Sequence, residues 1–408
     1  MKAEIISIGT EVTTGGILNT NTKYLSTKLL DNGIEVSYHT SVSDDVDVIK
    51  EVFKIALERA DLIITTGGLG PTDDDLTKEI IAETLGLKLI EDKKMEDNIK
   101  SIFNSLNRPM PINNKKQALL PEGGSFIVNE IGTAPGIYIS KDNKKIIMLP
   151  GPPKEMKIMF EKHVSPIIKQ DFFITTKSIN TIGIGESALE MKIKDIILRY
   201  KDLTIATYAK EGAVEIKIIA KGQNRNIIEE GLKEVIKEIE NEVGDYIYGF
   251  DNITIEETVF NLLKGKGYEV GFCESCTGGL ISSRFTRIPG ASEVLDRTIV
   301  TYSNKSKMEE LGVKKETLEK YGAVSEETAL EMAEGLLKKG DLDLALSTTG
   351  IAGPAGGSEE KPVGLVYIGI TTKTKNKVLK FNFNGDRESI QNRTTTRAFA
   401  EIRNFLLN

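Results

Sequence analysis

The residues of this chain that are most typical of a reactive site are 274–279, Glu-Ser-Cys-Thr-Gly-Gly. They lie between an apolar strand and a glycine-opened helix. Backbone N–H groups at a helix start can stabilise an oxyanion, and the paired glycines let a substrate approach Ser275 closely. The pattern suits acyl transfer with Ser275 as the nucleophile. Both histidines of the chain, His39 and His163, lie in its N-terminal part. The base that activates Ser275 must therefore be another residue type.

A candidate base follows the next apolar strand, in residues 302–307, Tyr-Ser-Asn-Lys-Ser-Lys. A lysine that is shielded from water, near a tyrosine or another cation, can lose its proton near neutral pH. The pattern therefore offers Lys307 as the base for Ser275, with Tyr302 in the same short segment.

Other interpretations of the serine segment stay open at this level. A serine before a glycine pair is often the N-cap of a helix and has no chemical role. Cys273 and Cys276 form a Cys-x-x-Cys pair at a strand-helix junction, where redox dithiols occur, although Cys273 falls inside the strand. Zinc is disfavoured, because the C-terminal part has no other Cys or His to complete four ligands.

A second candidate site lies in residues 66–75, Thr-Gly-Gly-Leu-Gly-Pro-Thr-Asp-Asp-Asp. The glycine-rich backbone can approach a phosphate closely, and carboxylates beside a diphosphate require a cation between them. Asp44 and Asp45, at the end of another strand, are placed to complete the cluster. The alternative is that the aspartates cap a helix, with Asp75 as the N-cap before Leu76.

The surrounding elements predict an α/β fold, in which short β-branched strands alternate with helices. In the N-terminal part, the glycine loop and the turns at 132–136 and 149–153 follow strands. Ligands of open parallel sheets bind at such places, beyond the carboxyl ends of the strands. In the C-terminal part, Ser325 before two glutamates predicts an N-cap, and a closing helix is expected over 387–407.

Changes in the pattern divide the chain into three segments: 1–167, 168–250 and 251–408. The middle segment, with two strands at 203–208 and 214–220 and a helix from 226, predicts a small α+β module. Its residues 183–186, Gly-Ile-Gly-Glu, are similar to the loop of RNA-binding KH modules, but no basic run surrounds them. A spacer or a dimer contact is the favoured role.

Composition narrows the class of partner. A formal net charge of -7 over 408 residues, with no basic stripe, argues against direct nucleic-acid binding and favours small molecules. No segment approaches the ~20 apolar residues of a membrane span, and the apolar run that ends at Gly9 is too short for a signal peptide. With two cysteines, the expectation is a cytoplasmic protein without structural disulfides.

Six short motifs of the C-terminal segment together resemble the nicotinamide-mononucleotide amidase family. The motifs occupy 274–279, 301–304 with Lys307, 322–325, 349–354, 361–364 and 385–387. The resemblance implies metal-free hydrolysis of the carboxamide of nicotinamide mononucleotide to nicotinate mononucleotide and ammonia. It implies Ser275 as nucleophile, Lys307 as base and Tyr302 as an assisting group. The implied substrate-binding residues are Thr277, Gly278, Gly279, Asn304, Thr349, Gly350, Ala352, Gly353 and Arg387, the last as a phosphate ligand.

The N-terminal segment resembles the MoaB/MogA-like molybdopterin-binding fold, a three-layer domain. The resemblance rests on 9–11, 19–21, 66–77, 113–118, 132–136 and 149–156. The order of the two halves resembles the competence/damage-inducible (CinA) family over essentially the whole chain. One departure is visible at 12–16, where the family usually has apolar residues followed by Gly-Gln.

The CinA resemblance implies that the N-terminal segment hydrolyses ADP-ribose to AMP and ribose 5-phosphate, with a divalent metal (Mg, Mn or Co) and with K. Asp44 and Asp75 match acidic positions of the fold and are the expected catalytic residues. The expected metal ligands are Asp44, Asp74 and Asp75. The expected substrate-binding residues are Gly67, Gly68, Gly70, Asn19, Asn21, Gly132, Thr133, Pro150 and Gly151.

The sequence thus predicts a bifunctional pyridine-nucleotide salvage enzyme, expected to form a homodimer. Both substrates, nicotinamide mononucleotide and ADP-ribose, are nucleotides that carry ribose phosphates left by NAD breakdown. Two alternatives stay open. The first is a molybdopterin-binding or cofactor-assembly protein, and the second is a competence-related interaction protein without N-terminal catalysis.

Overall fold

The N-terminal segment folds around a mixed sheet. In the computed structural model, which describes residues 1–407, its strands are β1 (Lys2–Ile8), β2 (Glu35–Val42), β3 (Leu62–Thr66), β4 (Leu89–Glu91), β5 (Leu119–Pro121), β6 (Ser125–Ile127), β7 (Gly136–Lys141) and β8 (Lys144–Leu149). Its helices are α1 (Thr10–Thr13), α2 (Thr20–Asp31), α3 (Val46–Arg59), α4 (Thr77–Thr84), α5 (Lys93–Ser105), α6 (Pro153–Met159) and α7 (Ser165–Ile168), with a 3-10 helix at Ile112–Ala118 and a π-helical turn at Phe160–Val164. The main sheet has the order β2-β1-β3-β8-β7-β6, and β4 pairs with β5 separately.

Parallel pairing gathers several loops at one edge of this sheet. β1 runs parallel to β2 and β3, and β3 runs parallel to β8. β7 and β6 continue the sheet in antiparallel pairs. The carboxyl ends of the four parallel strands therefore meet at the same edge, where Gly9, Asp44, Gly67 and Pro150 follow them.

Alternating side chains of the strands give this sheet a hydrophobic layer on each face. On one face, Ile6 and Ile63 pack with Phe53 of α3 and Ile80 of α4. On the other face, Ile5 packs with the apolar side of α2 and with α6. The N-terminal segment is thus a three-layer α/β structure, which confirms the predicted fold class.

The middle segment is a small α+β module. Its elements are β9 (Phe173–Ile182), α8 (Glu186–Arg199), β10 (Leu203–Lys210), β11 (Ala213–Gly222), α9 (Arg225–Val243), a 3-10 helix at Gly244–Tyr246 and β12 (Ile247–Phe250). The strands form a sheet in the order β10-β11-β9-β12. The Gly-Ile-Gly-Glu stretch lies between β9 and α8, and Glu186 is the first residue of that helix.

The C-terminal segment contains a second α/β sheet. Its elements are α10 (Ile255–Lys266), β13 (Val270–Glu274), α11 (Leu280–Phe285), a 3-10 helix at Ala291–Glu293, β14 (Leu295–Val300), α12 (Asn304–Leu311), α13 (Lys315–Tyr321), α14 (Glu326–Gly340), β15 (Leu344–Gly350), β16 (Leu365–Thr372), β17 (Asn376–Asn382) and α15 (Arg387–Leu407). The sheet order is β14-β13-β15-β16-β17. β13 is parallel to β14 and β15, whereas β16 and β17 are antiparallel.

Both faces of this second sheet are covered by helices. On one face, Phe272 of β13 packs edge-on against Phe285 of α11 and Phe399 of α15, at ring-centre distances of 5.3 and 6.1 Å. On the other face, Cys273 packs with Met332 and Leu336 of α14. The strand end at Glu274 is therefore packed on both faces, so Ser275 follows a rigid part of the sheet.

Several predicted boundaries shift in ways that matter for the sites. The apolar strand before Tyr302 ends at Val300, and the helix expected at the glycine pair begins after it, at Leu280. The strand β17 was not predicted. Ser325 is the N-cap of α14, as predicted, because its side chain accepts a hydrogen bond from the N–H of Thr328.

Contacts divide the described chain into two compact units. One unit comprises Met1–Thr175 with Ala220–Glu229, and the other comprises Thr176–Ile219 with the chain from Glu230 onward. The three-segment division, with boundaries after residues 167 and 250, stays a prediction. Within residues 1–407, no helix is both long enough and apolar enough to cross a bilayer.

Candidate active sites

Ser275 occupies the turn directly after β13 and is hydrogen-bonded to a buried lysine. Its N–H donates to the carbonyl of Thr348 on the neighbouring strand at 3.0 Å, which fixes the backbone of the turn. Its Oγ accepts a hydrogen bond from Lys307 Nζ at 2.9 Å. Ser275 is 9% exposed and Lys307 is 1% exposed. The structure thus brings together the predicted nucleophile and the predicted base.

Lys307 is positioned by the first turn of α12, which begins with a capping box formed by Ser303 and Ser306. Its ammonium group also donates to the carbonyl of Thr301 at 2.7 Å. Burial lowers the pKa of Lys307 from its ordinary value, because the charged form is poorly solvated there. A lysine in this position can hold the neutral amine that a base requires.

The start of α11 is occupied by a side chain of the protein itself. The fully buried carboxylate of Glu274 accepts hydrogen bonds from the N–H groups of Gly279, Ile281 and Ser282 at 3.0, 3.1 and 2.9 Å. It also accepts the hydroxyl of Ser282 at 2.5 Å. The prediction that these helix-start amides stabilise a substrate oxyanion is therefore wrong, because Glu274 already takes them.

The alternative of Ser275 as an N-cap is also excluded by the structure. The N-cap position of α11 is Gly279, and α11 has no side-chain cap hydrogen bond from that residue. Gly278 and Gly279 adopt left-handed backbone angles, with φ of 63 and 99°, which favour glycine. The paired glycines thus make the sharp turn between Ser275 and the helix.

The two cysteines do not have the environment of a redox dithiol. Both are free and buried, and Cys273 Sγ lies 3.3 Å from the carbonyl of Leu346 inside the sheet. Burial raises the pKa of the Cys273 thiol far above its ordinary value and raises that of Cys276 to about 12. Since the thiolate is the reactive form, both thiols are held in their unreactive state.

A cavity of about 230 Å³ opens above Ser275 and Lys307. It is lined by predicted site residues together with several unpredicted small side chains. The lining comprises Ser275, Cys276, Tyr302, Lys307, Ala323, Val324, Thr349, Gly350, Ile351, Ala352, Gly353, Ala355 and Arg387. Polar groups lie at its base, and apolar side chains from two loops form much of its wall.

Arg387 and Tyr302 are hydrogen-bonded to each other at this cavity. Arg387 donates to the hydroxyl of Tyr302 at 2.5 Å and to the carbonyl of Gly353 at 2.7 Å. Tyr302 is 62% exposed, because β14 ends before it. The two side chains therefore mark the solvent side of the cavity, away from buried Lys307.

The remaining predicted residues of this site do not line the cavity. Thr277 is buried, with its hydroxyl 2.9 Å from that of Thr348, and Asn304 is the exposed first residue of α12. Gly278 and Gly279 shape the turn, as described above.

The N-terminal candidate site is a second cavity, of about 320 Å³, at the carboxyl edge of the first sheet. It brings the glycine loop together with the predicted aspartates. The lining comprises Ile8, Gly9, Glu11, Asp44, Gly67, Gly68, Leu69, Gly70, Pro71, Asp74, Asp75, Gln117, Thr133, Ala134, Pro150, Gly151, Pro152 and Glu155. Glu11, Gln117 and Glu155 were not predicted.

Hydrogen bonds from threonines orient the two aspartates expected to be catalytic. Asp44 Oδ2 accepts the N–H and hydroxyl of Thr10 at 2.8 and 2.9 Å. Asp75 Oδ2 accepts the N–H and hydroxyl of Thr72 at 3.0 and 2.5 Å. The suggestion of Asp75 as an N-cap is wrong, because Leu76 holds that position and α4 has no side-chain cap.

Asp74 lines the same cavity as Asp44 and Asp75. A hydrogen bond from the Thr72 side chain lowers the pKa of the Asp74 carboxyl, so the residue is ionised at neutral pH. The glycine loop is tightly packed against the same group of residues. A Cβ on Gly70 would fall 2.3 Å from Asp75 Oδ2, and one on Gly67 would fall 2.0 Å from the carbonyl oxygen of Ile8.

The carboxylates of this cavity are suitable ligands for a hard divalent cation, but they are too few to hold one alone. Carboxylate oxygens are the ligands that Mg²⁺ and Mn²⁺ prefer. Within residues 1–407, the acidic, cysteine and histidine side chains form no group of three or more that could by itself hold a metal. A cation at this place would therefore rest on one or two carboxylates and on substrate phosphates, which is common for Mg²⁺.

Three predicted binding residues of the N-terminal site lie outside the cavity lining. Asn19 caps α2 by accepting the N–H of Thr22 at 3.1 Å. Asn21 is buried and donates to Thr66 Oγ1 and to the carbonyl of Gly151 at 2.9 and 2.7 Å. Gly132 lies against Glu155, since a Cβ there would fall 2.2 Å from Glu155 Oε2. Their contacts hold the loops that form the cavity.

Some site residues were missed because their roles depend on distant contacts. Glu155 accepts a hydrogen bond at 2.6 Å from Asn129, whose side chain is buried. Glu155 lies in the motif 149–156, and its acidic type is the available signal. Ala323 and Val324 lie in the motif 322–325, but their apolar side chains give no chemical signal.

Each of the two α/β sheets has a cavity at the carboxyl ends of parallel strands, which is where open α/β sheets bind ligands. Comparison with family models refines this description. Residues 252–406 match the CinA C-terminal domain, 4–170 match a probable molybdopterin binding domain, and 176–249 match the damage-inducible protein CinA KH domain. The second match confirms the predicted MoaB/MogA-like character of the N-terminal segment.

Relatives extend over the whole chain. A competence-damage inducible protein of Caldicellulosiruptor saccharolyticus is 46% identical over 410 residues, covering 100% of both chains. A CinA-like protein of Kosmotoga olearia is 47% identical over 409 residues, covering 100% of this chain and 99% of that one. The chain belongs to the CinA family. A crystal structure of competence/damage inducible protein CihA from Agrobacterium tumefaciens is 39% identical, covers 38% of this chain and 94% of that one, and has a TM-score of 0.37.

Proposed function

We propose that the C-terminal segment is an amidase that converts nicotinamide mononucleotide to nicotinate mononucleotide and ammonia. The observation that carries the proposal is the 2.9 Å contact between Lys307 Nζ and Ser275 Oγ at the base of a cavity. Burial of the lysine supports its role as a base, and the absence of histidine from residues 251–408 is consistent with a serine-lysine pair.

The proposed reaction proceeds through an acyl-enzyme. When the Lys307 amine is neutral, its lone pair accepts the Ser275 hydroxyl proton along the same contact, and the Thr301 carbonyl accepts one amine hydrogen. Ser275 Oγ then attacks the carboxamide carbon. Lys307 returns the proton to the leaving nitrogen, ammonia departs, and an ester remains on Ser275. Water activated by Lys307 hydrolyses the ester and releases the carboxylate product.

The cavity provides separate places for the parts of this substrate. The carboxamide lies beside Ser275, and the small apolar side chains of Ala323, Val324 and Ala352 suit the flat pyridine ring. Arg387 lies at the solvent side with Tyr302, where its planar fork suits two phosphate oxygens. Tyr302 is proposed to assist by orienting Arg387, since its hydroxyl already accepts a hydrogen bond from that residue.

For the N-terminal segment we propose hydrolysis of a nucleoside diphosphate sugar, with ADP-ribose as the substrate and AMP and ribose 5-phosphate as products. The glycine loop 67–70 offers backbone N–H groups to phosphate oxygens. One or two of the carboxylates of Asp44, Asp74 and Asp75 would hold a divalent cation (Mg, Mn or Co) jointly with the diphosphate, and K would be a further ion. The cation would neutralise charge on the diphosphate.

Release of ammonia from nicotinamide mononucleotide tests the first proposal. Wild type, Ser275→Ala and Cys276→Ala are compared, and the expected result is activity in wild type, retention in Cys276→Ala and loss in Ser275→Ala. Full activity of Ser275→Ala, or none in wild type, refutes the amidase mechanism. Matched circular dichroism spectra show that the variants are folded.

Hydrolysis of ADP-ribose, with and without a chelator, tests the second proposal. Activity that is lost with EDTA and restored by Mg²⁺ or Mn²⁺ supports it, and a chelator-insensitive reaction contradicts the metal role. Binding of a molybdopterin without any hydrolysis of ADP-ribose would favour the cofactor-assembly alternative. Light scattering and cell fractionation test the expected homodimer and the expected cytoplasmic location.

A further inference from the structure

Two separate loops line the Ser275 cavity, and one lysine joins them. The first loop, residues 351–364, connects β15 to β16 and contributes Ile351, Ala352 and Gly353 to the lining. The second is the connection between α13 and α14, which contributes Ala323 and Val324. Because these stretches are far apart in sequence, their relative position depends on specific contacts between them.

Lys361 supplies the main polar contact between the two loops. Its Nζ donates to the carbonyl of Tyr321 at 2.6 Å and to the carbonyl of Val324 at 2.8 Å. Tyr321 is the last residue of α13, so its carbonyl belongs to the negative end of that helix and attracts a cation. The ammonium group thus links the end of α13 to the wall residue Val324.

The remaining geometry around Lys361 supports this role. Its own N–H donates to Ser358 Oγ at 3.0 Å, and its carbonyl accepts the N–H of Ser358 at 2.8 Å, which forms a tight turn. From the strand side, Thr349 Oγ1 donates to the carbonyl of Ala323 at 2.7 Å. The carbonyls of residues 321, 323 and 324 are therefore all held by donors from the 349–361 stretch.

We propose that Lys361 is a positioning residue that fixes the 322–324 wall against the 351–364 loop and so sets the affinity of the cavity for a flat amide-bearing ring. For its kinetic consequence this inference rests on the proposed amidase function. Lys361 touches neither Ser275 nor Lys307 in the structure, so its loss acts on binding and leaves the proton transfer intact. A side chain without donors at this position leaves two carbonyls unpaired and lets the wall move.

The test compares Lys361→Met, Lys361→Arg and a matched control, Lys315→Met, an exposed lysine on α13 that pairs with Glu319. In Lys361→Met we expect KM for nicotinamide mononucleotide to rise about tenfold, with kcat and its pH profile unchanged. Lys361→Arg, which keeps donors for both carbonyls, is expected to restore most of the affinity. Lys315→Met is expected to match wild type.

Hydrogen-deuterium exchange provides a readout that does not depend on activity. Faster exchange in both 322–325 and 351–364 is expected in Lys361→Met, and not in Lys315→Met. Unchanged exchange in both loops, or a fall in kcat with a shifted pH profile, overturns the inference, and Lys361→Arg serves as the folded comparison if the methionine variant does not fold. If wild type releases no ammonia, the proposed function fails, and the exchange result still decides whether Lys361 holds the two loops.

Discussion

The ammonium group of Lys307 lies 2.9 Å from the hydroxyl oxygen of Ser275 and 2.7 Å from the carbonyl oxygen of Thr301. Neither neighbour is negatively charged, so nothing in direct contact favours the protonated lysine by charge. Burial acts in the opposite direction, because it penalises the cation. The same pair of contacts suits a neutral amine, which has hydrogens to donate and one lone pair to receive the serine proton.

The amidase activity is expected to depend on pH through Lys307. Its pKa in the folded protein is lowered by burial, so the neutral amine becomes available at a pH below the ordinary lysine range. The pH profile of kcat/KM should therefore rise with pH and level off below that range. Lys307→Met should reduce kcat by about 1000-fold or more. An unchanged ascending limb in a partially active Lys307→Met enzyme would show that another group titrates.

The thiols of Cys273 and Cys276 should resist modification in the folded protein. Burial raises the pKa of Cys276 to about 12 and that of Cys273 further, so the thiolate fraction at pH 8 is negligible. With Ellman's reagent we expect reaction about 100-fold slower in the native state than in urea. Rapid native-state reaction, or a disulfide detected by mass spectrometry, would revive the dithiol interpretation.

Glu274 should be important for both folding and activity. Three backbone N–H groups and one hydroxyl converge on its carboxylate, and glutamine would place N–H groups against some of these donors. We expect Glu274→Gln to lower the free energy of unfolding by about 2 to 4 kcal/mol and to reduce kcat. Ser282→Ala, which removes one donor, should cost about 1 kcal/mol. Urea unfolding provides both values, and a neutral Glu274→Gln would contradict the role of the carboxylate in fixing the turn.

The contrast between Ser275 and Glu274 shows what local sequence could predict. The strand, the glycine pair and the absence of histidine are local or compositional, and they pointed to Ser275 and Lys307, which the structure brings into contact. The capture of the helix-start amides by Glu274 depends on the direction of its side chain at the end of β13. Residue types alone predicted those amides as free donors for an oxyanion.

In the N-terminal cavity, too, local sequence predicted only part of the site. The aspartates of residues 73–75 were recognisable by their type, but Asp75 could be either a helix cap or part of a site. The hydrogen bonds from Thr72 and the position of Leu76 decide between these possibilities, and both depend on the shape of the loop. Glu155 reaches the cavity from α6, about 80 residues further along the chain, so spacing could not connect it with Asp75.

Asp75 and Thr72 provide a test of the N-terminal site that separates charge from position. Asp75→Asn keeps the shape and the hydrogen bonds from Thr72 but removes the charge, so ADP-ribose hydrolysis should fall about 100-fold or more. Thr72→Val removes the hydroxyl contacts with Asp75 and Asp74 but keeps both charges, and the loss should be smaller, about tenfold. Equal activity of Asp75→Asn and wild type would remove Asp75 from the proposed mechanism.

Lys78 links the same region to a pH dependence of stability. The residue is 4% exposed on α4, and its Nζ donates to the carbonyl of Lys116 and lies 3.8 Å from Glu79 Oε1. Burial lowers its pKa to about 8, while the neighbouring carboxylates of Glu79 and Asp75 partly offset the effect and Lys116 adds to it. The unfolded chain has the ordinary lysine pKa of about 10.4, so between these two values the unfolded state binds more protons than the folded state.

The sign of the effect follows directly from this difference in proton binding. A folded pKa below the unfolded pKa means that Lys78 opposes folding most at low pH, and that this cost is relieved as the pH rises from about 8 towards 10.4. We expect the stability of wild type relative to Lys78→Met to increase by about 2 kcal/mol between pH 7 and pH 10. Urea unfolding of both proteins at each pH measures the difference, with the exposed Lys94→Met as the control. Parallel stability curves for wild type and Lys78→Met would contradict the lowered pKa of Lys78.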